Sequence, residues 1–97
     1  MRVVFTPEAA AQADHCDSWW RQHRPSAPGL FARELVEAAG LVAQAPGIGP
    51  VHRTIDGHPV RRLLLKKTRN HVYYVVEADR IVVHSVWGAV KGRGPAR

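Results

Sequence analysis

The sequence lacks the features that mark exported, membrane-spanning or disulfide-stabilised proteins. Cys16 is the single cysteine among 97 residues, so no disulfide can form within the chain. No apolar run approaches the roughly 20 residues that a transmembrane helix needs, and residues 1–5 lack the apolar stretch of a secretion signal. These absences predict a cytoplasmic protein, without a membrane segment, that is stabilised by the burial of apolar side chains.

Motifs that bind metals or phosphate groups are also missing. The six histidines include no pair at the spacing that metal sites on helices use, and His15 and Cys16 are adjacent, so they point in different directions. The glycines of residues 88–94 lack the Lys-Ser or Lys-Thr ending of a phosphate-binding loop. We therefore expect no metal and no cofactor, and we interpret Cys16 as a small buried apolar residue.

Positive charge is concentrated in the C-terminal half of the chain. Residues 1–50 contain four Arg against five Asp and Glu, which leaves a net charge of −1. Residues 51–97 contain ten Arg and Lys against three Asp and Glu, which leaves +7. Such an asymmetry indicates an anionic partner: nucleic acid, the ribosome or an acidic protein.

Two helices are predicted in the first half. The first begins at Thr6-Pro7-Glu8, because threonine caps, proline suits the first turn and glutamate favours the positive end of the helix dipole. It ends before Pro25, and its apolar residues at helical spacing are Ala9, Ala13, Cys16 and Trp20. The second runs from residues 26–28 to residues 45–47, and its apolar stripe is Phe31, Leu35, Ala38, Val42 and Ala45. The short link between them predicts a helical hairpin.

Strands are predicted on both sides of the helices. A short one covers Arg2–Phe5, and the loop rich in glycine and proline after the second helix contains at most one more, around Val51–Ile55. The period then changes to two, and three strands follow at Val60–Lys66, His71–Glu77 and Arg80–Trp87. The order β-α-α-β-β-β predicts an α+β fold with the helical hairpin on one face of a mainly antiparallel sheet. Residues 1–97 form one domain, with a flexible basic tail at 88–97.

The lengths of the hairpins predict which side chains share a face of the sheet. A two-residue turn at Ala78-Asp79 places Tyr73 opposite His84, and a four-residue loop at 67–70 places Lys66 opposite His71. The helix-facing side is then expected to hold Leu63, Leu65, Val72, Tyr74, Val76, Ile81, Val83 and Trp87. The opposite side is expected to hold Arg62, Leu64, Lys66, His71, Tyr73, Val75, Val82, His84 and Val86. This mixture of cations, imidazoles and aliphatic groups indicates a partner-binding surface, unless a loop or the tail covers it.

The segment VRRLLLKKTRNHVYYV at 60–75 and its continuation RIVVHSVWG at 80–88 follow a helical hairpin that ends in APGIG at 45–49. Together with the order of elements, these segments resemble the RelE/ParE family of toxins from type II toxin–antitoxin systems. The resemblance covers nearly the whole chain. It implies a growth-inhibiting toxin of plasmid-stabilisation type, which a cognate antitoxin neutralises in a hetero-oligomeric complex.

The resemblance implies one of two targets: ParE-type members inhibit DNA gyrase, and RelE-type members cleave messenger RNA on the ribosome. RNA cleavage needs proton carriers and cations for the developing phosphate charge, and the candidates are Arg62, Lys66, His71, His84 and Arg93. The sequence departs from the RNA-cleaving pattern, because His71 replaces an arginine and no Tyr or His follows Gly88. These departures favour gyrase inhibition, for which the chain needs no catalytic residues.

A non-toxic basic binding module on the same fold is the remaining hypothesis. If the protein is a toxin, the antitoxin is expected to lay an acidic or amphipathic segment across the helical hairpin and the basic strands. One ring of the Trp19-Trp20 pair is expected to be exposed and available for such a contact. The residues predicted to bind partners are Trp19, Arg62, Lys66, Tyr73 and His84.

Overall fold

A computed structural model describes residues 1–88 of the chain. Its elements, in chain order, are β1 (Arg2–Phe5), α1 (Pro7–His23), α2 (Leu30–Gln44), β2 (Val51–Ile55), β3 (His58–Leu65), β4 (Asn70–Val76) and β5 (Arg80–Gly88). The fold is therefore α+β, and the optional strand at residues 51–55 is present. Gly88, where the sequence predicted the tail to begin, is the last residue of β5. The rest of the predicted tail, with Arg93, lies outside the described residues.

The five strands form one sheet in the order β1-β5-β4-β3-β2. Strands β2 to β5 are antiparallel neighbours, whereas β1 pairs with β5 in parallel. A parallel neighbour needs a long crossover, and both helices lie in the chain between β1 and the rest of the sheet. The sheet is thus mixed, with β1 and β2 at its edges.

Helix α1 has the start and the buried side that the sequence predicts. The Thr6 hydroxyl accepts a hydrogen bond from the Ala9 backbone N–H at 3.0 Å, and Pro7 is the first helical residue. The helix ends at His23, where the Arg24 backbone N–H donates to the Trp20 carbonyl oxygen at 2.8 Å. Its buried residues are Ala9, Ala13, Cys16 and Trp20.

Helix α2 begins later than predicted, at Leu30, and its first residue is preceded by Gly29 without a side-chain cap. The predicted start at residues 26–28 is wrong because Pro28 disfavours a helical conformation at Ala27. The Ala27 carbonyl instead accepts from the indole N–H of Trp20 at 2.8 Å. The stripe of α2 is buried at Phe31, Ala38 and Val42, while its last member, Ala45, is an exposed C-cap.

The hydrophobic core lies between the two helices and one side of the sheet, called here the helix-facing side. Its buried side chains are Ala9, Ala13, Cys16, Trp20, Phe31, Ala38, Val42, Leu65, Val72, Tyr74, Ile81, Val83 and Val86. Burial of one Val, Ile or Phe side chain contributes roughly 1.5–3 kcal/mol. This layer packs one side of the sheet against the helices, and the other side of the sheet faces away from them.

The register between β3 and β4 differs by two residues from the prediction. Leu64 lies opposite His71, and Arg62 lies opposite Tyr73. A shift of two leaves each side chain on its predicted face, because faces alternate with every residue. The predicted pairing of Lys66 with His71 is wrong, however, since Lys66 belongs to the turn rather than to β3.

The register between β4 and β5 changes in the middle of the strands. Val75 lies opposite Val82 as predicted, but Tyr73 lies opposite Ser85, so His84 is an extra residue that forms a β-bulge. The predicted places of Val86 and Trp87 are therefore exchanged: Val86 is fully buried under the helices, and Trp87 points to the opposite side. Val76, predicted for the core, is 37% exposed at the end of β4.

Candidate binding face on the outer side of the sheet

The side of β2 to β5 that faces away from the helices, called here the outer face, contains a groove of about 880 Å³. Among residues 1–88, neither helix contributes to its lining. The residues of the groove are His52, Arg53, Ile55, Asp56, His58, Val60, Tyr73, Val75, Val76, Glu77, Ala78, His84, Ser85 and Trp87. The groove thus combines aliphatic and aromatic surface with imidazoles and a few charges, the composition of a ligand or partner site.

Tyr73 is the centre of an aromatic cluster on the outer face. Its ring centroid lies 5.5 Å from that of His52, 5.9 Å from that of His71 and 6.3 Å from that of Trp87, each in an edge-on arrangement. His52 approaches Tyr73 although β3 lies between their strands, and it stands where the register of β2 and β3 shifts. Trp87 joins the cluster because of the bulge at His84. The register shift of β2 and the bulge of β5 therefore bring His52 and Trp87 to the rings of His71 and Tyr73.

The two arginines of β3 point to opposite sides of the sheet. Arg61 donates hydrogen bonds to the carbonyl oxygens of Gly47 at 3.2 Å and Gly49 at 2.8 Å, so it supports the loop after α2. Arg62 lies on the outer face beside Tyr73. Within the described part of the chain, ion pairs join Arg21 to Asp17 and Arg80 to Glu77, and none involves Arg62. Arg62 is therefore a cation available to an anionic partner.

The surroundings of His71 favour its neutral form. Partial burial lowers the pKa of His71 below the ordinary value of 6.5, and the nearby charges of Arg62, His52 and Arg69 lower it further. An imidazole that is neutral near pH 7 accepts a proton or a hydrogen bond from a ligand. The crowding of positive groups around His71 marks this end of the outer face as a place where an anion would be stabilised.

The turn between β3 and β4 presents further cations and is held by helix α2. The carboxylate of Glu34 accepts hydrogen bonds from the backbone N–H of Lys67 at 2.7 Å, and from the N–H and hydroxyl of Thr68 at 3.0 and 2.7 Å. Arg69 has a positive φ of 62° in this turn. The side chains of Lys66, Lys67 and Arg69 are exposed. Glu34 thus fixes a basic tip beside His71.

The predicted site residues are divided between three places. Arg62, His71, Tyr73 and His84 share the outer face, while Lys66 lies in the basic turn. Trp19 lies on α1, partly buried against the core, with its ring stacked on His23 at a centroid distance of 4.1 Å. It is therefore remote from the outer face, and the predicted set of partner-binding residues does not form one surface.

Four residues of the outer face were missed by sequence reasoning: His52, Arg53, His58 and Trp87. The first three lie in a segment whose glycines and prolines suggested a loop. Alternation at residues 51–55 was visible, but nothing in it indicated that β2 pairs with β3 and lines a groove. Trp87 was assigned to the core because strict alternation was assumed through the bulge.

No protein-family model matches the chain, and a search of curated proteins found no match either. Neither helix in residues 1–88 is long and apolar enough to cross a membrane. No cluster of three or more potential metal-binding side chains occurs in that same range. Function is therefore inferred from the outer face and from the resemblance in sequence.

Proposed function

We propose that the protein is the toxin of a type II toxin–antitoxin pair and that it acts on its target through the outer face. The observation that carries this proposal is the open groove around Tyr73. The groove combines apolar, aromatic and basic groups, and among the described residues neither helix contributes to its lining. A sheet face that meets only water is normally more polar. The observed order β-α-α-β-β-β-β also includes the order β-α-α-β-β-β on which the resemblance in part rests.

The target that we propose first is DNA gyrase. Val60 and Val75 line the groove together with Trp87, and such an aliphatic and aromatic floor suits contact with another protein. Arg53 and Arg62 add positive charge at the margin of this floor. Inhibition by binding alone requires no reacting group, so in this case the protein is not an enzyme.

Ribosome-dependent cleavage of messenger RNA is the second candidate, and the cluster around Tyr73 supports it. His71, with its lowered pKa, is suited to accept the proton of a ribose hydroxyl, and Arg62 is placed to stabilise the developing phosphate charge. The His84 imidazole lines the same groove as Tyr73. Lys66 lies in the turn and Arg93 lies outside the described residues, so the remaining predicted catalytic groups do not add to this arrangement.

The decisive experiment is induction of the protein in growing bacteria, with and without the gene that neighbours it. A gyrase inhibitor would relax plasmid DNA and induce the DNA-damage response while transcripts stay intact. A ribonuclease would cut transcripts and arrest translation before any change in supercoiling. Restoration of growth by the neighbouring gene supports a toxin–antitoxin pair, and unimpaired growth on induction contradicts the toxin proposal in favour of a non-toxic binding module.

Variants of the outer face test whether this surface causes the toxicity. Arg62→Glu combined with Trp87→Ala should reduce toxicity at least about tenfold, because one change reverses charge and the other removes aromatic contact area. The matched control is Arg33→Glu, which reverses one exposed charge on α2. Equal toxicity of the outer-face variant and the control, at equal protein levels, would contradict the assignment of the working surface.

A further inference from the structure

One end of the outer face brings two arginines close to the same imidazole. The charges of Arg62 and Arg69 both lower the pKa of His71, so both side chains lie within electrostatic reach of that ring. No ion pair of residues 1–88 involves either arginine. Arg62 also lies directly opposite Tyr73 in the register of β3 and β4. This end of the face, called here the anion end, therefore offers two cations beside an aromatic ring.

The opposite end of the face carries carboxylates instead. Asp56 and Glu77 line the groove there. Glu77 accepts a hydrogen bond from Nε of Arg80 at 2.9 Å, whereas Asp56 belongs to no ion pair of the described chain. Glu77 follows Tyr73 by four residues, which is about 14 Å along an extended strand. A ligand that spans the groove therefore needs a negative group at one end and a hydrogen-bond donor at the other, and a second negative group near Asp56 would be repelled.

The part of the groove between these two ends is aromatic and aliphatic. The rings of His52 and Trp87 stand edge-on to that of Tyr73, at centroid distances of 5.5 and 6.3 Å. All three line the groove together with Val60 and Val75. An edge-on contact covers at most one face of one ring, so these contacts do not by themselves fill the ring faces that a planar ligand would meet. The volume of about 880 Å³ lies in the range of sites for small molecules.

We propose that the groove binds a free purine nucleotide, with its phosphate at the anion end and its base among the rings of His52, Tyr73 and Trp87. Arginines donate charge-assisted hydrogen bonds to phosphate oxygens, and a base stacks on aromatic side chains. The amino group of the base is a donor that the Asp56 carboxylate accepts from. A single nucleotide matches the polarity of the groove, whereas the next phosphate of a strand that follows it would approach Asp56. This property of the isolated protein does not depend on the toxin proposal.

The test is calorimetric binding of AMP to the full chain at neutral pH and about 0.15 M salt. Adenosine lacks the phosphate and ribose 5-phosphate lacks the base, so we expect each to bind at least about tenfold more weakly than AMP. Absence of AMP binding at millimolar concentration would overturn the proposal, and so would equal affinity for AMP and either fragment. A ten-residue adenosine oligoribonucleotide is the fourth probe. If it binds more than about tenfold more tightly than AMP, the occupant is a strand and the proposal is wrong.

Two variants separate the contributions of phosphate and base. Arg62→Gln removes a charge from the anion end and should lower the affinity for AMP at least about fivefold, while the affinity for adenosine stays the same. Tyr73→Leu removes the central ring and should lower the affinity for both. Arg33→Gln, which removes one exposed charge from α2, is the matched control and should bind AMP as the wild type does. Urea unfolding of each variant verifies that the fold is kept. An equal loss in Arg33→Gln and Arg62→Gln would assign binding to overall charge and contradict the site.

Discussion

The two sides of the sheet are built from the same four strands and differ in almost every physical respect. On the helix-facing side, Tyr74, Ile81 and Val86 are fully buried. On the outer face, their chain neighbours Tyr73 and Trp87 line an open groove, whereas Val82, the neighbour of Ile81, is buried as well. At Tyr73 and Trp87, one residue along a strand thus separates a group in the core from a group that lines the groove.

The comparison shows that alternation alone does not decide which residue stands on which side. The bulge at His84 reverses the assignment of every residue that follows it in β5. The bulged segment is held by helix α1, because the side-chain oxygen of Gln12 accepts a hydrogen bond from the Val86 backbone N–H at 2.8 Å. Helix α1 therefore helps to place Trp87 on the outer face.

Deletion of His84 should have the largest effect on the difference between the two sides of the sheet. Without the extra residue, strict alternation would direct Trp87 into the core and Val86 outward, in conflict with the space under α1. We expect the free energy of unfolding to fall by more than about 4 kcal/mol in urea denaturation. His84→Ala keeps the bulge and should change stability by less than about 0.5 kcal/mol. A stable deletion variant would show that the bulge does not determine the two sides.

Removal of the Glu34 carboxylate is expected to have the next largest effect. Glu34→Ala leaves the backbone N–H groups of Lys67 and Thr68 and the buried Thr68 hydroxyl without their acceptor. We expect a loss of about 2–3 kcal/mol, since hydrogen bonds to a charged group are lost together. Glu37→Ala, an exposed carboxylate on the same helix, is the matched control. Equal losses in thermal or urea unfolding would argue against a clamp on the basic turn.

The adjacent tyrosines of β4 allow a smaller and cleaner comparison. The Tyr74 hydroxyl donates to the Pro46 carbonyl at 2.8 Å and accepts from the Gly49 N–H at 2.9 Å. A Cβ at Gly49 would lie 2.9 Å from the same oxygen, so glycine is needed there. Tyr74→Phe should cost about 1–2 kcal/mol, because both backbone groups lose their partner.

Tyr73→Phe is the counterpart on the outer face. It should leave the stability within about 0.5 kcal/mol, since no hydrogen bond of the described chain involves that hydroxyl. Its effect should appear in target binding instead. A Tyr73→Phe variant as unstable as Tyr74→Phe would remove the distinction between the two sides of the sheet.

Much of the fold could be predicted from periodicity and capping. The buried residues of α1 followed from a spacing of three and four, and the start of α1 followed from Thr6 and Pro7, because these signals lie within a few residues of each other. The start of α2 was mistaken because the effect of Pro28 on Ala27 was overlooked, and the Ala27 carbonyl accepts from the Trp20 indole instead. The register shifts of β2 and β5 depend on residues that lie far apart in the chain. Contacts between distant residues leave no local pattern in a sequence.

The candidate site was predicted only in part for the same reason. Arg62, His71, Tyr73 and His84 follow from alternation and from the lengths of the hairpins. His52 and Trp87 reach the cluster through register shifts, and these shifts depend on contacts with other elements. Trp19 looked available as one of two adjacent tryptophans, but its ring stacks on His23 and is partly buried.

The smallest expected effect concerns how the free energy of unfolding depends on pH through His71 on the outer face. The pKa of His71 is lowered in the folded protein by burial and by the neighbouring Arg62, His52 and Arg69. The unfolded chain therefore binds a proton at this residue first as the pH falls below 6.5, and the folded state loses stability from there down through the lower folded pKa. Above that range both states hold a neutral imidazole, and the residue contributes no dependence on pH.

His71→Gln should remove this contribution. Across that pH range, the free energy of unfolding should decrease less steeply with acidification in the variant than in the wild type. The difference between the two slopes should be a fraction of the slope that the uptake of one full proton would give. His15→Gln, which removes an exposed imidazole from α1, is the control. If the two variants change the slope equally, the positive groups around His71 do not act on it, and the outer face differs from the rest of the surface in composition alone. If the change is confined to His71, its neighbours hold it in the neutral form that an anion or a ribose hydroxyl would meet.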